Sequence, residues 1–276
     1  MTEVLVVIGA GGMGQAIARR QGTGKTVLLA DFNDSTLKDA ADTMRGDGYT
    51  VTTAHVDVTT RASVRELATM AAEAGSVTQV VHTAGLSPVQ APTRAILAVD
   101  LVGVALVLEE FGRVITSGGA GVVISSMAGH MGSPLTPDQE TLLTETDADA
   151  LLQLPFLAED TLIPAAAYSV AKRANHLQVR SASRSWGARG ARINSISPGV
   201  IATPMGREEL SGEHGAQMNA MIQNSGTGRI GTPTDIADAA AFLLGQSATF
   251  ITGTDLLVDG GVIPVIRAAL AGVSPA

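Results

Sequence analysis

Residues 4–14 read VLVVIGAGGMG, so the apolar run Val4–Ile8 passes directly into a cluster of glycines. Such a run, bounded by glycines, is typical of a strand that is buried on both faces of a parallel sheet. The glycines have the spacing G-x-G-x-x-G, and the segment Gly14–Arg20 is predicted to form a helix. A strand, a tight glycine turn and a helix N-terminus can hold a pyrophosphate, because backbone amides approach its charge closely. We therefore predict a dinucleotide site that includes these residues: Gly9, Gly11, Gly12, Met13 and Gly14.

Asp31 stands at the end of the second predicted strand, twenty residues after Gly11. A carboxylate at this place can accept hydrogen bonds from the adenosine ribose hydroxyls, and it would repel a 2′-phosphate. The residue that follows is Phe32, which supplies no positive charge for such a phosphate. NAD is therefore favoured over NADP. We include Phe32, together with Asp31, among the predicted cofactor-binding residues. The alternative is that Asp31 only helps to start the next helix, because Asp34 and Ser35 also suit helix caps.

Short apolar runs alternate with helical segments along the chain. Parallel strands need crossover connections, so this alternation predicts an α/β doubly wound parallel sheet with helices on both faces, the Rossmann fold. The chain has 276 residues and shows no internal repeat, and we predict one domain over residues 1–276. The predicted strands are Val4–Ile8, Thr26–Ala30, Val51–Val56, Val77–His82, Gly121–Ser125, Arg192–Ser197 and Asp255–Val258.

Charge and composition exclude several classes of function. The net charge is −8 and there is no basic run, so nucleic acid and anionic membrane surfaces are not expected as partners. The absence of cysteine excludes disulfides, thiolate nucleophiles and zinc sites built on cysteine. No apolar run approaches the ~20 residues of a membrane span, and the first residues lack the pattern of a signal peptide. We expect a cytoplasmic protein.

Tyr168 and Lys172 form a Y-x-x-x-K pattern at the start of a helix predicted from about Tyr168 to Trp186. The i, i+4 spacing places both side chains on one helix face. A tyrosine normally titrates near ~10, and a neighbouring ammonium favours the phenolate and lowers that pKa. The pair can therefore serve proton transfer. Taken alone it is better explained as an incidental pair on an amphipathic helix, because Y-x-x-x-K is a common pattern.

Several further motifs occur in a fixed order, and with them the chain resembles the short-chain dehydrogenase/reductase family, of the single-domain type, over nearly its whole length. Beside the glycine loop, Asp31 and Y-x-x-x-K, the resemblance rests on these stretches: Asp57-Val58, Thr83-Ala84-Gly85, Ser125-Ser126, Asn194-Ser195-Ile196-Ser197-Pro198-Gly199, Arg229-Ile230-Gly231-Thr232-Pro233, Ile251-Thr252-Gly253 and Val258-Asp259-Gly260-Gly261.

The resemblance implies a role for each matching residue. Tyr168 is the acid/base, Lys172 binds the nicotinamide ribose and lowers the tyrosine pKa, and Ser126 hydrogen-bonds the substrate oxygen. The remaining implied cofactor contacts are Asp57 and Val58 beside the adenine, Ala84 and Gly85 on the adenosine side, and Ile201 and Thr203 at the carboxamide, after Pro198 and Gly199. The implied reaction is hydride transfer between NAD and a small-molecule alcohol or ketone, in a homotetramer or homodimer.

Two residues depart from the family pattern near the implied site. His82 stands where the family has the first asparagine of Asn-Asn-Ala-Gly. Asp100 stands where the family has the asparagine of Val-Asn-Leu, which is assigned to a proton relay behind the lysine. We place Asp100 among the candidate catalytic residues, because it can pair with Lys172 and change the charge of the site. A purely structural role for Asp100 is an equal alternative.

Two segments interrupt the strand and helix pattern. Pro134–Pro164 is an acidic insertion between the fifth strand and the catalytic helix, and Met205–Arg229 is predicted as a mobile flap over the substrate. We predict that the insertion caps the substrate pocket. The alternative is that its apolar residues pack onto the body or a partner subunit. These residues are Leu142, Leu143, Leu151, Leu152, Leu154 and Phe156.

The histidines stand singly in the sequence, without the spacing of a metal site, and no metal is expected. The favoured function is an NAD-dependent oxidoreductase for a secondary alcohol or ketone. Two alternatives stay open, which are an NADP-dependent 3-oxoacyl thioester reductase and a dinucleotide-binding sensor without catalysis. Nothing in the sequence names the substrate.

Overall fold

The computed structural model describes residues 2–212 and 215–270. Within them, seven parallel strands form one sheet in the order β3-β2-β1-β4-β5-β6-β7. The strands are β1 (Glu3–Ile8), β2 (Thr26–Asp31), β3 (Thr50–His55), β4 (Ser76–His82), β5 (Ala120–Ile124), β6 (Arg192–Pro198) and β7 (Asp255–Val258). The predicted Rossmann fold is confirmed.

Eleven α-helices lie in the described residues. They are α1 (Gly12–Gln21), α2 (Asp34–Gly46), α3 (Arg61–Ala74), α4 (Thr93–Leu97), α5 (Gly103–Val114), α6 (Pro137–Glu145), α7 (Pro164–Ala188), α8 (Pro204–Ser211), α9 (Gly215–Asn224), α10 (Pro233–Leu244) and α11 (Val262–Leu270). Short 3₁₀ turns occupy Met127–His130, Ala148–Gln153, Pro155–Leu157 and Gln246–Ala248. No helix in this part of the chain combines the length and the apolar character that a bilayer crossing requires.

Alternate residues of β1 face two separate hydrophobic cores. Val4, Val6 and Ile8 belong to the core beneath α3, α5 and α7, whereas Leu5 and Val7 belong to the core beneath α1, α2 and α10. All five are fully buried. A strand covered on both faces has no polar side, because successive side chains point to opposite faces of the sheet.

The strand order reverses beside β1, and the loops at its carboxyl end are held by backbone hydrogen bonds. Gly9 N donates to Ala30 O at 2.7 Å, while Thr83 N and Ala84 N both donate to Ile8 O, at 2.7 and 3.0 Å. In open α/β sheets ligands bind in the crevice at such a switch point. The sheet therefore brings the loops after β1, β2 and β4 to one edge.

Two helices, α4 and α5, follow β4 and are joined by a π-helical turn at Ala98–Val102. Asp100 lies in this turn and is fully buried. Such π turns are rare inside helices and occur often at functional sites. Hydrophobic spacing could not reveal it, because one wider turn hardly changes the apolar pattern.

The acidic insertion is ordered and packs onto the body. Leu143 and Leu151 are buried in the core shared with α5 and α7, and Arg61 binds Asp149 at 2.7 Å. A capping box starts α6, since Thr136 and Gln139 exchange hydrogen bonds. None of the six apolar residues expected to cap the pocket lines the cleft beside the glycine loop. Leu143 and Leu151 therefore pack onto the body, whereas Leu142 is exposed, and the cap over the substrate pocket stays a prediction.

Candidate active site

The glycine loop is compact because three of its glycines have no room for a side chain. A Cβ on Gly14 would lie 1.9 Å from Gly9 O, and one on Gly9 would lie 2.6 Å from Ala84 N. Gly9 also has a φ of 105°, which favours glycine. A Cβ on Gly12 would come within 3.1 Å of Thr203 Cγ2. The loop therefore packs tightly against neighbouring segments on one side. On its other side the N-terminus of α1 faces a cleft.

A cleft of about 740 Å³ opens over this loop. Its lining includes most of the predicted cofactor residues: Gly9, Gly11, Gly12, Met13, Gly14, Asp31, Phe32, Asp57, Val58, Ala84, Gly85 and Thr203. Pro198, Gly199 and Ile201 do not line it. Ile201 is buried and bridges to Gly231, and a Cβ on Gly199 would lie 2.7 Å from Asp259 Cα. These three residues position the loop that carries Thr203.

Asp31 lines the cleft beside the glycine loop. Its Oδ2 accepts a hydrogen bond from Ala10 N at 2.6 Å, and its Oδ1 accepts one from Asn33 N at 2.8 Å. A carboxylate has about four acceptor positions, so both oxygens keep lone pairs for the ribose hydroxyls. Phe32 is exposed at the rim and packs against the His55 ring, with centroids 5.4 Å apart. The contact with Ala10 fixes the carboxylate relative to the glycine loop.

Tyr168 and Lys172 lie one turn apart near the start of α7, which begins at Pro164. Lys172 Nζ is 5.4 Å from the centre of the Tyr168 ring. Ser126 follows β5 and caps the 3₁₀ turn after it, where its Oγ accepts a hydrogen bond from Ala128 N at 3.1 Å. Ser126 is one of the groups that lower the pKa of Tyr168. The lining of the cleft does not include Ser126, Tyr168 or Lys172, but it includes Gly85, and a Cβ on Gly85 would lie 3.4 Å from Lys172 Nζ.

Asp100 lies directly beside Lys172. Its Oδ1 is 3.8 Å from Lys172 Nζ and accepts a hydrogen bond from Leu86 N at 3.0 Å. Its Oδ2 has no hydrogen-bond partner within the described residues. Burial raises the pKa of Asp100 to about 6, although the charge of Lys172 opposes this change. A Cβ on Gly85 would touch both groups, at 2.8 Å from Asp100 Oδ1 and 3.4 Å from Lys172 Nζ.

The pKa of Tyr168 is raised above its ordinary value, which differs from the expected lowering by Lys172. Burial is the main cause, the charge of Asp100 adds to it, and Ser126 only partly opposes them. Asp100 pairs with the ammonium that would otherwise favour the phenolate. The proton of Tyr168 is therefore held tightly as long as Asp100 is ionised.

His82 is buried at the end of β4, and neither ring nitrogen has a hydrogen-bond partner among the described residues. Burial, with a smaller contribution from Lys172, lowers its pKa to about 3. Its imidazole is consequently neutral near pH 7 and adds no charge to the Asp100–Lys172 pair.

Glu209 is a residue of this region that the sequence reasoning missed. It belongs to α8 in the predicted flap. Burial raises the pKa of Glu209, and its charge contributes to the raised pKa of Tyr168. The sequence shows Glu209 only as an acidic residue within the predicted flap. No local sequence pattern indicates that α8 folds back toward α7. Met205, from the same helix, lines the cleft as expected for the flap.

Comparison with known proteins supports the resemblance to the short-chain dehydrogenase/reductase family. A family model described as short chain dehydrogenase matches residues 3–138, and one described as enoyl-(acyl carrier protein) reductase matches residues 139–263. The short-chain dehydrogenase/reductase bsc3 of Alternaria brassicicola is 46% identical over 262 residues, covering 95% of this chain and 96% of that protein. Cis-4-hydroxycyclohexanecarboxylate dehydrogenase of Sinomonas cyclohexanicum is 30% identical, covering 95% and 97%.

Solved structures share the fold. A short-chain type dehydrogenase/reductase from Mycobacterium ulcerans superposes with a TM-score of 0.75 at 24% identity, over 99% of this chain and 94% of that chain. The sequence relatives extend over almost the full length of both partners. The chain belongs to the short-chain dehydrogenase/reductase family and is an NAD(P)-dependent dehydrogenase/reductase.

Proposed function

We propose that this chain is an NAD-dependent oxidoreductase that interconverts a secondary alcohol and a ketone. The observation that supports it most directly is the contact of Lys172 and Asp100 with Gly85. Gly85 lines the dinucleotide cleft, so the acid–base side chains lie against the wall of that cleft. A site without catalysis would have no need for a buried, paired lysine beside a tyrosine.

The preference for NAD rests on the charges of the cleft. Its lining includes the carboxylates of Asp31 and Asp57, and the described residues contribute no Lys or Arg to it. A 2′-phosphate would meet negative charge without a counter-ion, whereas ribose hydroxyls would meet free acceptor positions on Asp31. The same charges argue against the NADP-dependent thioester reductase.

Four side chains have separate roles in the proposed reaction. When bound, the nicotinamide dinucleotide supplies the hydride acceptor for oxidation and the hydride donor for reduction. Tyr168 Oη takes the hydroxyl proton of the alcohol during oxidation and returns it to the ketone oxygen during reduction. Ser126 Oγ hydrogen-bonds the same substrate oxygen and orients it. Lys172 favours the phenolate of Tyr168, and Asp100 sets how strongly it does so.

The test measures NADH formation and consumption with a panel of secondary alcohols and their ketones, with NADP(H) in parallel. Cyclohexanols are suitable first substrates, because one relative is named for a hydroxylated cyclohexane. Replacing Tyr168 by Phe should lower kcat by about 10²- to 10⁴-fold and leave NADH affinity unchanged.

Tyr49 provides the matched control. It is the other of the two tyrosines in the sequence and does not line the cleft. Its hydroxyl donates a hydrogen bond to Arg19 O at 3.0 Å. Tyr49→Phe should keep full activity. Activity that survives in Tyr168→Phe would refute the assignment of the acid/base. A preference for NADP would refute the argument from the cleft charges.

Assembly as a homotetramer or homodimer and a cytoplasmic location also remain proposals. The resemblance implies assembly through residues 95–111 and 168–186 and through the C-terminal end, of which residues 271–276 lie outside the described residues. Sedimentation at micromolar concentration tests this point, and a clean monomer would contradict it.

A further inference from the structure

His130, His176 and Asp255 come together behind the catalytic helix, although they are far apart in the sequence. His130 lies in the 3₁₀ turn after β5, His176 in the middle of α7, and Asp255 at the start of β7. Each offers one atom, and the three atoms lie within 4.8 Å of one another. The sequence showed only single histidines, because the cluster depends on the order β5-β6-β7 in the sheet.

The distances suit two imidazoles and one carboxylate around a single ion. His176 Nε2 is 3.4 Å from Asp255 Oδ1, and His130 Nε2 is 2.8 Å from Asp255 Oδ2. Ligand atoms bound to a tetrahedral zinc ion at about 2.0–2.2 Å lie about 3.3–3.6 Å apart. The first distance already fits, and the second needs to open by about half an ångström.

Neighbouring hydroxyls hold the ligands in place. Ser195 Oγ and Ser197 Oγ donate to Asp255 Oδ1, at 2.6 and 3.0 Å. Ser125 Oγ donates to Lys172 O at 2.9 Å and lies 3.0 Å from His176 Nε2. The hydrogens of Ser125 and Ser197 are thus committed elsewhere, and their lone pairs face His176. Lone pairs that converge on an imidazole nitrogen attract either its proton or a cation.

The approach to the cluster also allows a cation to enter. His130 is only partly buried and lines a second cavity of about 600 Å³, distinct from the dinucleotide cleft. An ion could reach the cluster from this side, and a water in the cavity could supply a fourth ligand.

We propose that His130, His176 and Asp255 form a binding site for a first-row divalent cation, with zinc as the preferred ion. Two imidazoles and a carboxylate suit zinc, whereas magnesium and calcium prefer oxygen ligands alone. An ion at this site positions part of α7 and takes no part in hydride transfer. Its ligand His176 contacts Ser125, and Ser125 binds the carbonyl oxygen of Lys172, so an ion here fixes the turn of α7 that carries the catalytic lysine.

The experiment measures zinc binding to protein that has been freed of metal with a chelator. Calorimetric titration with Zn²⁺ should show one tight site per chain, and Mg²⁺ at millimolar concentration should not compete. Co²⁺ should give the intense visible bands of a tetrahedral complex, and this measurement needs no variant.

Variants locate the site. His130→Ala should bind zinc at least about a hundredfold more weakly, since loss of even an outer-shell partner costs 10- to 100-fold. His55→Ala is the matched control, because His55 is an exposed histidine that also contacts a carboxylate, Asp34 Oδ1, at 2.8 Å. His55→Ala should bind as the unchanged protein does. Absence of tight zinc binding, equal binding of Mg²⁺, or unchanged affinity in His130→Ala would each overturn the proposal and leave a proton as the occupant.

Discussion

Replacing Asp100 by Asn should stabilise the protein, by an amount that grows with pH. Folding raises the pKa of Asp100 from 3.8 to about 6, because the carboxyl is buried. One pKa unit corresponds to about 1.4 kcal/mol, so ionised Asp100 costs about 3 kcal/mol of folding free energy near pH 8. This figure already includes the attraction to Lys172, which is one of the causes that set the pKa.

The sign follows from proton binding. Between pH 3.8 and about 6 the folded protein keeps a proton on Asp100 that the unfolded chain has lost, so stability falls as the pH rises through this window. Asn has the same shape and no charge, and its Oδ1 can still accept from Leu86 N. The gain of Asp100→Asn should be about 3 kcal/mol at pH 8 and about half as large at pH 5.

Urea unfolding at pH 5, 6.5 and 8 measures this difference. The control is Asp238→Asn, an exposed carboxylate paired with Arg20, which should change stability by less than about 0.5 kcal/mol at each pH. A variant that is less stable at pH 8, or a gain of equal size at pH 5 and pH 8, would refute the reasoning.

The same variant should move the pH dependence of alcohol oxidation. The charge of Asp100 contributes to the raised pKa of Tyr168, so its removal lowers that pKa. The activity that requires the phenolate should then appear at lower pH in Asp100→Asn. An unchanged profile of kcat/KM would show that Asp100 has no influence on the acid/base.

Two further predictions concern residues that shape the site and the core. Gly14→Ala places a Cβ 1.9 Å from Gly9 O and should lower stability by about 1–3 kcal/mol, whereas Gly11→Ala, which meets nothing within 4 Å, should not; equal urea midpoints would contradict this. Trp186→Phe removes the hydrogen bond of 3.0 Å to Leu108 O in a fully buried position, which should cost about 1–3 kcal/mol. Thermal unfolding checks it, and an unaltered Tm would show that Leu108 O finds another donor.

Features that depend on neighbouring residues could be predicted. The run Val4–Ile8 and the glycines after it identify a buried strand and a phosphate loop, because burial on both faces and lack of room for a Cβ constrain adjacent positions. Tyr168 and Lys172 are one helical turn apart, so their shared face also follows from spacing. The residues predicted to contact the cofactor in the first half of the chain line one cleft.

Features that depend on contacts between distant segments of the chain could not be predicted from the sequence. Leu143 and Leu151 of the insertion are buried against the body, where they leave water, and this packing depends on residues far away in the sequence. The raised pKa of Tyr168 likewise needs the position of Asp100, which a π turn places beside Lys172.

The sequence by itself determined the alternation of strands and helices along the chain and the compact glycine turn after β1, and it predicted the acid–base pair. Only the tertiary structure decided the charge state around that pair and the meeting of His130, His176 and Asp255. The physical reason is that hydrophobic period and turn chemistry act over a few residues, whereas burial and Coulomb interaction depend on distance in space. Residues remote in the chain set both.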